Sequence, residues 1–133
     1  MAKGKEKSGR LSVFKGREAH LNKTIFHILA LKSPLTIYDI HKEVKTQRGL
    51  RQTRYASVNK RVKALEESGF IKKTGVKKTK TGFEAAIYEL SARAHLALVL
   101  DSINLDELLS HVDETAASTI LADMIDLNFH STD

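Results

Sequence analysis

The sequence contains no cysteine, no tryptophan and a single proline among its 133 residues. Without cysteine, the chain cannot form a disulfide or a thiolate-bound zinc site. Aromatic residues account for only 6% of the sequence, so the core must be mainly aliphatic. No apolar run approaches the roughly 20 residues of a membrane-spanning helix, and no apolar signal-peptide core follows the basic residues 1–10. We therefore expect one modest domain in the cytoplasm, with no membrane contact.

Groups that would support catalysis are also missing. The sequence has no glycine-rich phosphate loop of the GxxxxGK(S/T) type. Its six histidines are scattered, and no two of them have the four-residue spacing that places two metal ligands on one helix face. His20 and His27 lie seven residues apart, which leaves a histidine-based metal sensor as a minor alternative. We expect a protein that is not an enzyme and that binds neither metal nor cofactor.

The charges that are present are strongly separated along the chain. Residues 1–83 contain 21 Lys/Arg against six Asp/Glu, whereas residues 84–133 contain one against ten. A basic block favours binding to a polyanion such as a nucleic acid, and the acidic block suggests a different role for the rest. The simpler alternative is a soluble protein with an uneven surface charge.

The stretch 53–90 has the outline of a helix followed by a β-hairpin. Its first part carries apolar residues spaced three, four and three apart: Tyr55, Val58, Val62 and Leu65. This spacing predicts a helix over residues 53–68 with one buried face, ended by Gly69. Two runs rich in β-formers, residues 71–76 and 84–90, flank the basic segment 77–83, which is expected to be the hairpin tip.

The segment VNKRVKALEESGFI at residues 58–71 resembles the recognition helix and first wing strand of winged helix-turn-helix regulators. It is similar to the MarR and PadR classes, whose pattern there ends in Leu-Glu, two polar residues, glycine and two apolar residues. The segment 88–91 likewise resembles the end of a second wing strand, with Ser91 capping the next helix. The resemblance covers about residues 21–100. It implies a mainly α fold with a small β-hairpin (α+β), namely a winged helix-turn-helix plus C-terminal helices.

The chain is accordingly divided into three parts. Residues 1–14 are expected to be a basic disordered arm, which either follows DNA phosphates or is only a solubilising tail. Residues 15–91 are the expected winged-helix DNA-binding domain. Residues 92–133 are an acidic, aliphatic helical extension, and the resemblance implies that such terminal helices form a homodimer. The alternative is that they pack only on the first helix of the same chain.

The exposed side of the predicted recognition helix places small residues among long basic ones. Small side chains let a helix approach base edges, while long ones reach bases or phosphates. Lys60 ranks first, because its position resembles a DNA-contacting position of MarR-like proteins, whereas Arg61 is expected to bond back to the first helix. The predicted DNA-binding residues are Arg51, Gln52, Thr53, Arg54, Ser57, Lys60, Lys63, Lys77, Lys78 and Lys80. The alternative is a lysine-rich face that is merely solvated.

These observations predict a sequence-specific transcriptional regulator that binds double-stranded DNA as a dimer. The recognition helix, residues 53–68, would enter the major groove, and the wing tip, residues 77–83, would lie on the phosphate backbone. One alternative is an RNA-binding or ribosome-associated winged helix. Another is a winged helix that binds proteins within a larger complex. Salt-dependent binding to duplex DNA would separate the first interpretation from the last.

Overall fold

The computed structural model describes the backbone of residues 11–132 and the side chains of residues 11–127. Most of the predicted basic arm therefore lies outside the described residues. The described elements are, in order, a 3₁₀ turn (Ser12–Phe14), α1 (Ala19–Lys32), α2 (Ile37–Val44), α3 (Tyr55–Glu67), β1 (Ile71–Lys78), β2 (Glu84–Leu90), α4 (Ala92–Ser102), α5 (Leu105–His111) and α6 (Glu114–Thr132). Three helices followed by an antiparallel hairpin and further helices confirm the predicted mainly α fold.

The chain divides into two compact units, residues 1–101 and residues 102–133. The first unit contains the three leading helices, the hairpin and nearly all of α4. Ala94 and Ala97 of α4 are buried in the core of this unit. The division between these compact units falls at the end of α4. The division before residue 92, between a DNA-binding domain and a dimerisation extension, stays a prediction.

The core of the first unit combines the buried faces of α1, α2 and α3 with the base of the hairpin. Its largest fully buried side chains are Tyr88, Phe26, Ile25, Leu29, Ile40, Val44, Val58 and Val62. Burying one large apolar side chain contributes roughly 1.5–3 kcal/mol. The helical stripes of the sequence therefore decide how the three helices pack, and the core is mainly aliphatic as expected.

Phe14 adds a small aromatic group to this core. It is buried and lies edge-on to Phe26, with 5.2 Å between ring centroids, and Phe26 also meets Phe70 at 5.6 Å. The sequence assigned residues 11–14 to the disordered arm, while their apolar character also allowed packing on the domain or on a partner. In the structure these residues pack on the domain.

The connection from α1 to α2 is fastened to the hairpin. α1 ends just before Pro34, because the residue preceding a proline avoids the helical region. Leu35 then forms an isolated antiparallel bridge with Tyr88, with N–H···O distances of 3.1 and 2.8 Å. The start of α2 is therefore held at a fixed place beside β2.

The buried side of α3 is formed by Val58, Val62 and Leu65, as predicted. Tyr55 was expected to extend this stripe, and that prediction is wrong, because its side chain is 46% exposed. It lies instead edge-on to His41 of α2, with 5.8 Å between ring centroids. Tyr55 is the first residue of the helix and projects beyond the end of the core.

Gly69 ends α3 with left-handed backbone, at a φ of +84°, as predicted. Its N–H donates to the carbonyl of Glu66 at 3.0 Å, and the N–H of Phe70 donates to the carbonyl of Leu65 at 2.9 Å. These two bonds are the Schellman pattern, which satisfies the last carbonyls of a helix. The chain thereby passes from α3 into β1 within a few residues.

The hairpin pairs antiparallel, from Ile71 opposite Leu90 at its base to Lys78 opposite Glu84 near its tip. Thr74 has no partner in this register, so β1 contains a β-bulge. Such a bulge bends a strand and increases its twist, and it therefore sets the direction of the outer half of the wing.

The first wing strand is longer than the sequence predicted, while the second covers the predicted residues 84–90. β1 continues to residue 78, so the connecting tip is residues 79–83 rather than 77–83. Lys77 and Lys78 consequently lie in the strand and not in the loop. The polar residues that follow Val76 do not indicate a strand by themselves. The extension of β1 was missed because strand pairing depends on the partner strand as well as on local composition.

The second unit consists of α5 and α6. Asn104 and Asp113 cap these helices, because their side-chain oxygens accept hydrogen bonds from the N–H three residues on, at 3.1 and 2.8 Å. No residue from 102 to 127 is buried. The exposed large apolar side chains of this unit are Leu105, Leu108, Leu109, Ile120, Leu121, Met124, Ile125 and Leu127.

Candidate nucleic-acid interface

The side of α3 that faces away from the core is open to solvent. Ala56, Ser57, Lys60 and Lys63 are all exposed there, while Val58 on the opposite side is buried. Small residues near the N-terminal end of the helix therefore stand beside long cationic ones. This arrangement allows close approach of the helix backbone to another molecule, and it carries positive charge to that contact.

The loop that leads into α3 is basic. The stretch 44–65 contains seven Lys/Arg and no Asp/Glu. Arg48, Arg51 and Gln52, together with Gly49, line a shallow concavity of about 370 Å³. These cations precede the N-terminus of α3, where the helix dipole also favours negative charge.

The entry to α3 is held by α2. The ring nitrogen Nε2 of His41 lies 2.8 Å from the carbonyl oxygen of Thr53, and the same ring packs against Tyr55. Arg54 is the N-cap of α3 and has extended backbone, and Thr53 directly precedes it. The predicted contact residues Thr53 and Arg54 thus occupy a restrained position and not a free loop.

Lys63 connects α3 to the wing. Its ammonium Nζ donates a hydrogen bond to the hydroxyl of Tyr88 at 3.2 Å and stands 5.8 Å from the centroid of the Tyr88 ring. The hydrogen bond to Tyr88 raises the pKa of Lys63 above its ordinary value. Lys63 is therefore charged at neutral pH, and its ammonium group is held over the junction between recognition helix and wing.

The three predicted wing lysines differ in their surroundings. Lys77 Nζ lies 3.8 Å from Asp39 Oδ2, a carboxylate in the first turn of α2. Lys78 stands opposite Glu84 in the strand register, and Lys80 is exposed on the tip. An exposed ion pair contributes only about 0–1 kcal/mol, so the contact with Asp39 holds Lys77 only weakly.

Arg61 belongs to the interior support of α3. Its Nε donates to Oδ1 of Asn22 in α1 at 3.1 Å, and Asn22 Nδ2 donates to the carbonyl of Val13 at 2.9 Å. The prediction that Arg61 bonds back to the first helix is confirmed. Sequence reasoning separated this arginine from the exposed lysines correctly, because its angular position lies near the buried stripe.

Two tyrosines that the sequence did not select lie beside this surface. Tyr38 and Tyr55 are exposed and line a cleft of about 290 Å³ between α3 and the wing, together with Asn59 and Lys63. Tyr38 follows Ile37 by one residue, and a helical projection places it away from the α2 stripe. That signal could have identified Tyr38 from the sequence. Tyr55 could not be found in this way, because its spacing matches the core.

The histidines of the described residues lie in separate places. Among the residues that the structure describes, no group of three or more His, Asp or Glu side chains is placed to hold a metal ion. His20 lies 3.5 Å from the carbonyl of Arg48, while His27 lines a separate groove between α1 and α2. Within the same described part of the chain, no helix is both long enough and apolar enough to cross a membrane.

Comparison with protein-family models and with curated proteins gave no match. Among solved structures, the chain is similar to YodB from B. subtilis, with 17% identity over 74% of this chain and 81% of that one, and a TM-score of 0.51. It also matches the transcriptional regulator TA0346 from Thermoplasma acidophilum, with 23% identity over 73% and 100% of the two chains and a TM-score of 0.48. A variant of ZitR from Lactococcus lactis matches with 17% identity over 96% and 88%, and a TM-score of 0.44. At these identities the likeness concerns the fold alone, and the similarity to YodB confirms the winged helix-turn-helix arrangement.

Proposed function

We propose that this chain is a sequence-specific DNA-binding transcriptional regulator that acts as a homodimer. The observation that carries the proposal is the stretch 44–65, which has seven cations and no acid and forms the loop and helix of the exposed basic face. A face of this composition matches the phosphate-lined major groove in charge and in shape. Whether transcription is repressed or activated then depends on where the bound site lies relative to the promoter.

In this proposal α3 enters the major groove by its N-terminal half. Ala56 and Ser57 bring the helix backbone close to the bases, and Lys60 reaches the base edges or the flanking phosphates. The C-terminal end of α3 stays away from the DNA, because Glu66 and Glu67 lie there and would be repelled. Arg51, Gln52 and Arg54, together with Thr53, contact the backbone at the entrance to the groove.

The wing supplies a second contact in the adjacent part of the duplex. Lys78 and Lys80 bind phosphates there, and Lys77 joins them when it exchanges Asp39 for the DNA backbone. Lysine suits this role because its ammonium is a compact charge without the planar fork that arginine uses to read bases. The wing therefore adds affinity and sets orientation, while sequence preference comes from α3.

Dimerisation is proposed to occur through the C-terminal helices. Among residues 102–127, the second unit exposes eight large apolar side chains and buries no residue. Monomeric proteins in water rarely expose apolar patches of this size. A second copy of the same helices would cover these side chains. Residues 102–133 also contain seven Asp/Glu and no Lys/Arg, so this unit is expected to stay away from the DNA.

The proposal is tested by fluorescence anisotropy of a labelled random-sequence duplex at several salt concentrations. If each subunit neutralises about four to five phosphates, the slope of log K against log salt is about −8 for the dimer. The variant Lys78→Ala/Lys80→Ala removes four cations per dimer and should make the slope shallower by roughly 3–4. Competition with structured RNA separates a DNA-binding protein from an RNA-binding one.

The matched control is Lys15→Ala/Arg17→Ala, which removes the same charge from the opposite end of α3. These two residues line a cleft with Leu65 and Ser68, near the C-terminal end of the helix. They should leave the slope almost unchanged. A wild-type slope shallower than about −2, or equal effects of the two double variants, would contradict the proposed DNA-binding face.

A further inference from the structure

The cleft between α3 and the wing offers a third place for contact with DNA. Its walls come from three elements: Tyr38 from the first turn of α2, Tyr55, Asn59 and Lys63 from α3, and Ala85 with Tyr88 from β2. The small side chain of Ala85 leaves space in the cleft. Tyr88 is buried and forms the base of the cleft. The volume of about 290 Å³ is sufficient for one phosphate group with its adjoining sugar atoms.

The lining of the cleft is rich in hydrogen-bond donors and contains no carboxylate. Tyr38 is 61% exposed and Tyr55 is 46% exposed, so neither residue is enclosed by the core. Asn59 adds an amide, and Lys63 adds a full positive charge. Asp39, which follows Tyr38 in the sequence, has its carboxylate paired with Lys77 on the wing. A second cation, the ammonium of Lys42, stands 5.5 Å from the centroid of the Tyr38 ring.

The cation in this cleft is already positioned. The hydrogen bond of Lys63 to Tyr88 limits the rotamers of a side chain that would otherwise be flexible. Ordering a free lysine side chain costs up to about 2 kcal/mol of conformational entropy, and a positioned one loses less of it on binding. Tyr88 is itself fixed, because it is buried and its backbone is bridged to Leu35.

The geometry of duplex DNA places one strand over this cleft. The major and minor grooves are separated on each side by a sugar-phosphate backbone. If α3 lies in the major groove and the wing lies against the adjacent part of the duplex, the backbone between them must cross the gap between α3 and β2. That gap is the cleft described above.

We propose that this cleft binds one phosphate of the strand that separates the two grooves, with Tyr38, Tyr55, Asn59 and Lys63 as donors. The inference rests on the proposed function and assigns a DNA-binding role to three residues outside the predicted set. A mixture of neutral donors around one cation suits a phosphate oxygen. Binding of this phosphate also fixes how far α3 enters the major groove, because the DNA backbone then lies between α3 and the wing.

The test uses the full-length double variant Tyr38→Phe/Tyr55→Phe with the random-sequence duplex. Each change removes one exposed hydroxyl and keeps the ring, so the fold is retained, and circular dichroism verifies this. A hydrogen bond to a charged group corresponds to roughly tenfold in affinity or more, so the double variant should bind on the order of 100-fold more weakly. The salt slope should stay unchanged, because neither hydroxyl carries a charge, whereas Lys63→Gln should make it shallower by about 0.9 per subunit.

Ser12→Ala is the matched control, since it removes a hydroxyl from the cleft at the other end of α3 and should leave the affinity unchanged. Wild-type affinity of the double tyrosine variant would overturn the phosphate site and leave the proposed function intact. No salt-dependent binding by the wild type would overturn both. An affinity loss that differs between duplexes of only A·T and only G·C pairs would indicate base reading, and would also overturn the phosphate site.

Discussion

Asn22 links the first helix to the recognition helix from inside the core. It is only 4% exposed, and both ends of its amide are used: Oδ1 accepts from Arg61, and Nδ2 donates to the carbonyl of Val13. A buried polar group is tolerated because its hydrogen bonds replace those with water. The Asn22 side chain therefore joins the 3₁₀ turn, α1 and α3 at one point.

Replacing Asn22 with leucine should lower the free energy of unfolding by about 2–3 kcal/mol, because two partners lose their hydrogen bonds in a buried place. Arg61→Met should cost less, since the bond to Val13 survives. Urea unfolding followed by circular dichroism measures both changes. Equal stability of Asn22→Leu and wild type would mean that the amide contributes no net stabilisation.

Asp39 of α2 lies beside the proposed DNA-binding wing. Its carboxylate pairs with Lys77, and its backbone N–H donates to Thr36 Oγ1, which caps α2. Asp39→Asn keeps the cap but releases Lys77 and removes a negative charge. The affinity for duplex DNA should therefore rise by roughly threefold at low salt, and the gain should shrink as salt screens the charges.

The control for this change is Glu18→Gln, which alters the same charge beside the 3₁₀ turn, in the cleft that also contains Arg61. Anisotropy titrations of the two variants on one duplex compare them directly. A gain of equal size in both would indicate a general effect of net charge, and would remove any particular role for the pair of Asp39 and Lys77.

At the scale of elements, glycine decides how α3 passes into the wing. Gly69 has a φ of +84°, and a Cβ built there would lie 3.4 Å from Nη1 of Arg93, whose guanidinium donates to the carbonyl of Ser68. Gly69→Ala should lower the free energy of unfolding by about 1–2 kcal/mol, the usual cost of left-handed backbone for a residue with a side chain. Thermal unfolding by calorimetry measures this loss.

Gly82 gives the matched comparison, because its φ of +91° is similar but a Cβ there would meet nothing within 4 Å. It lies at the exposed wing tip, where the chain can open locally without disturbing the core. Gly82→Ala should therefore cost clearly less than Gly69→Ala. If the two variants were equally destabilised, the strain at the tip would have to be transmitted to the core.

The elements that depend on local chemistry could be predicted from the sequence. Residue spacing predicted that Val58, Val62 and Leu65 form the buried side of α3, and residue type predicted that Gly69 ends this helix. Both predictions were confirmed. The length of β1 was not predicted, because Lys77 and Lys78 have no strand signal of their own. Their pairing depends on β2, which a local reading does not include.

The candidate site was only partly predictable for the same reason. Exposure of Lys60 follows from angular position on one helix, and the structure shows it. The partners of Lys63 and Lys77 lie 25 and 38 residues away in the chain, and no spacing rule connects them. The cleft between α3 and the wing depends on these distant contacts, so the sequence could show that Tyr38 lies off the α2 stripe but not that it lines a cleft with α3 and the wing.

At the scale of the whole molecule, the proposed dimer depends on the apolar surface of the C-terminal helices. The apolar residues of α6 recur in pairs four residues apart: Ala116 and Ala117, Ile120 and Leu121, and Met124 and Ile125. All are exposed in the single chain. Residues four apart lie on one side of a helix, so these pairs form one continuous apolar face.

The double variant Leu121→Asp/Ile125→Asp should prevent dimerisation, because two charges in an apolar interface would lose their hydration. The control Thr119→Asp/Ala122→Asp adds the same charge to the opposite side of α6 and should remain dimeric. Sedimentation equilibrium gives the mass of each. A wild type that is monomeric at high concentration, or two variants of equal mass, would argue against this face as the interface.

A monomeric variant should also halve the salt slope of DNA binding, since half of the phosphate contacts are lost from the complex. The slope of each variant should therefore change in proportion to the number of DNA-binding domains in the complex.

The bulge at Thr74 determines on which face of β1 the lysines beyond it lie. Side chains of a strand alternate between its two faces, and one unpaired residue reverses the alternation beyond it. Val76 and Lys78 therefore share a face with Tyr88, whereas uninterrupted alternation would have placed Gly75 and Lys77 there. Deleting Thr74 would restore even pairing and leave each lysine on its present face, while straightening the arm. The direction of the wing can thus change through one residue without any change in the chemistry that it carries.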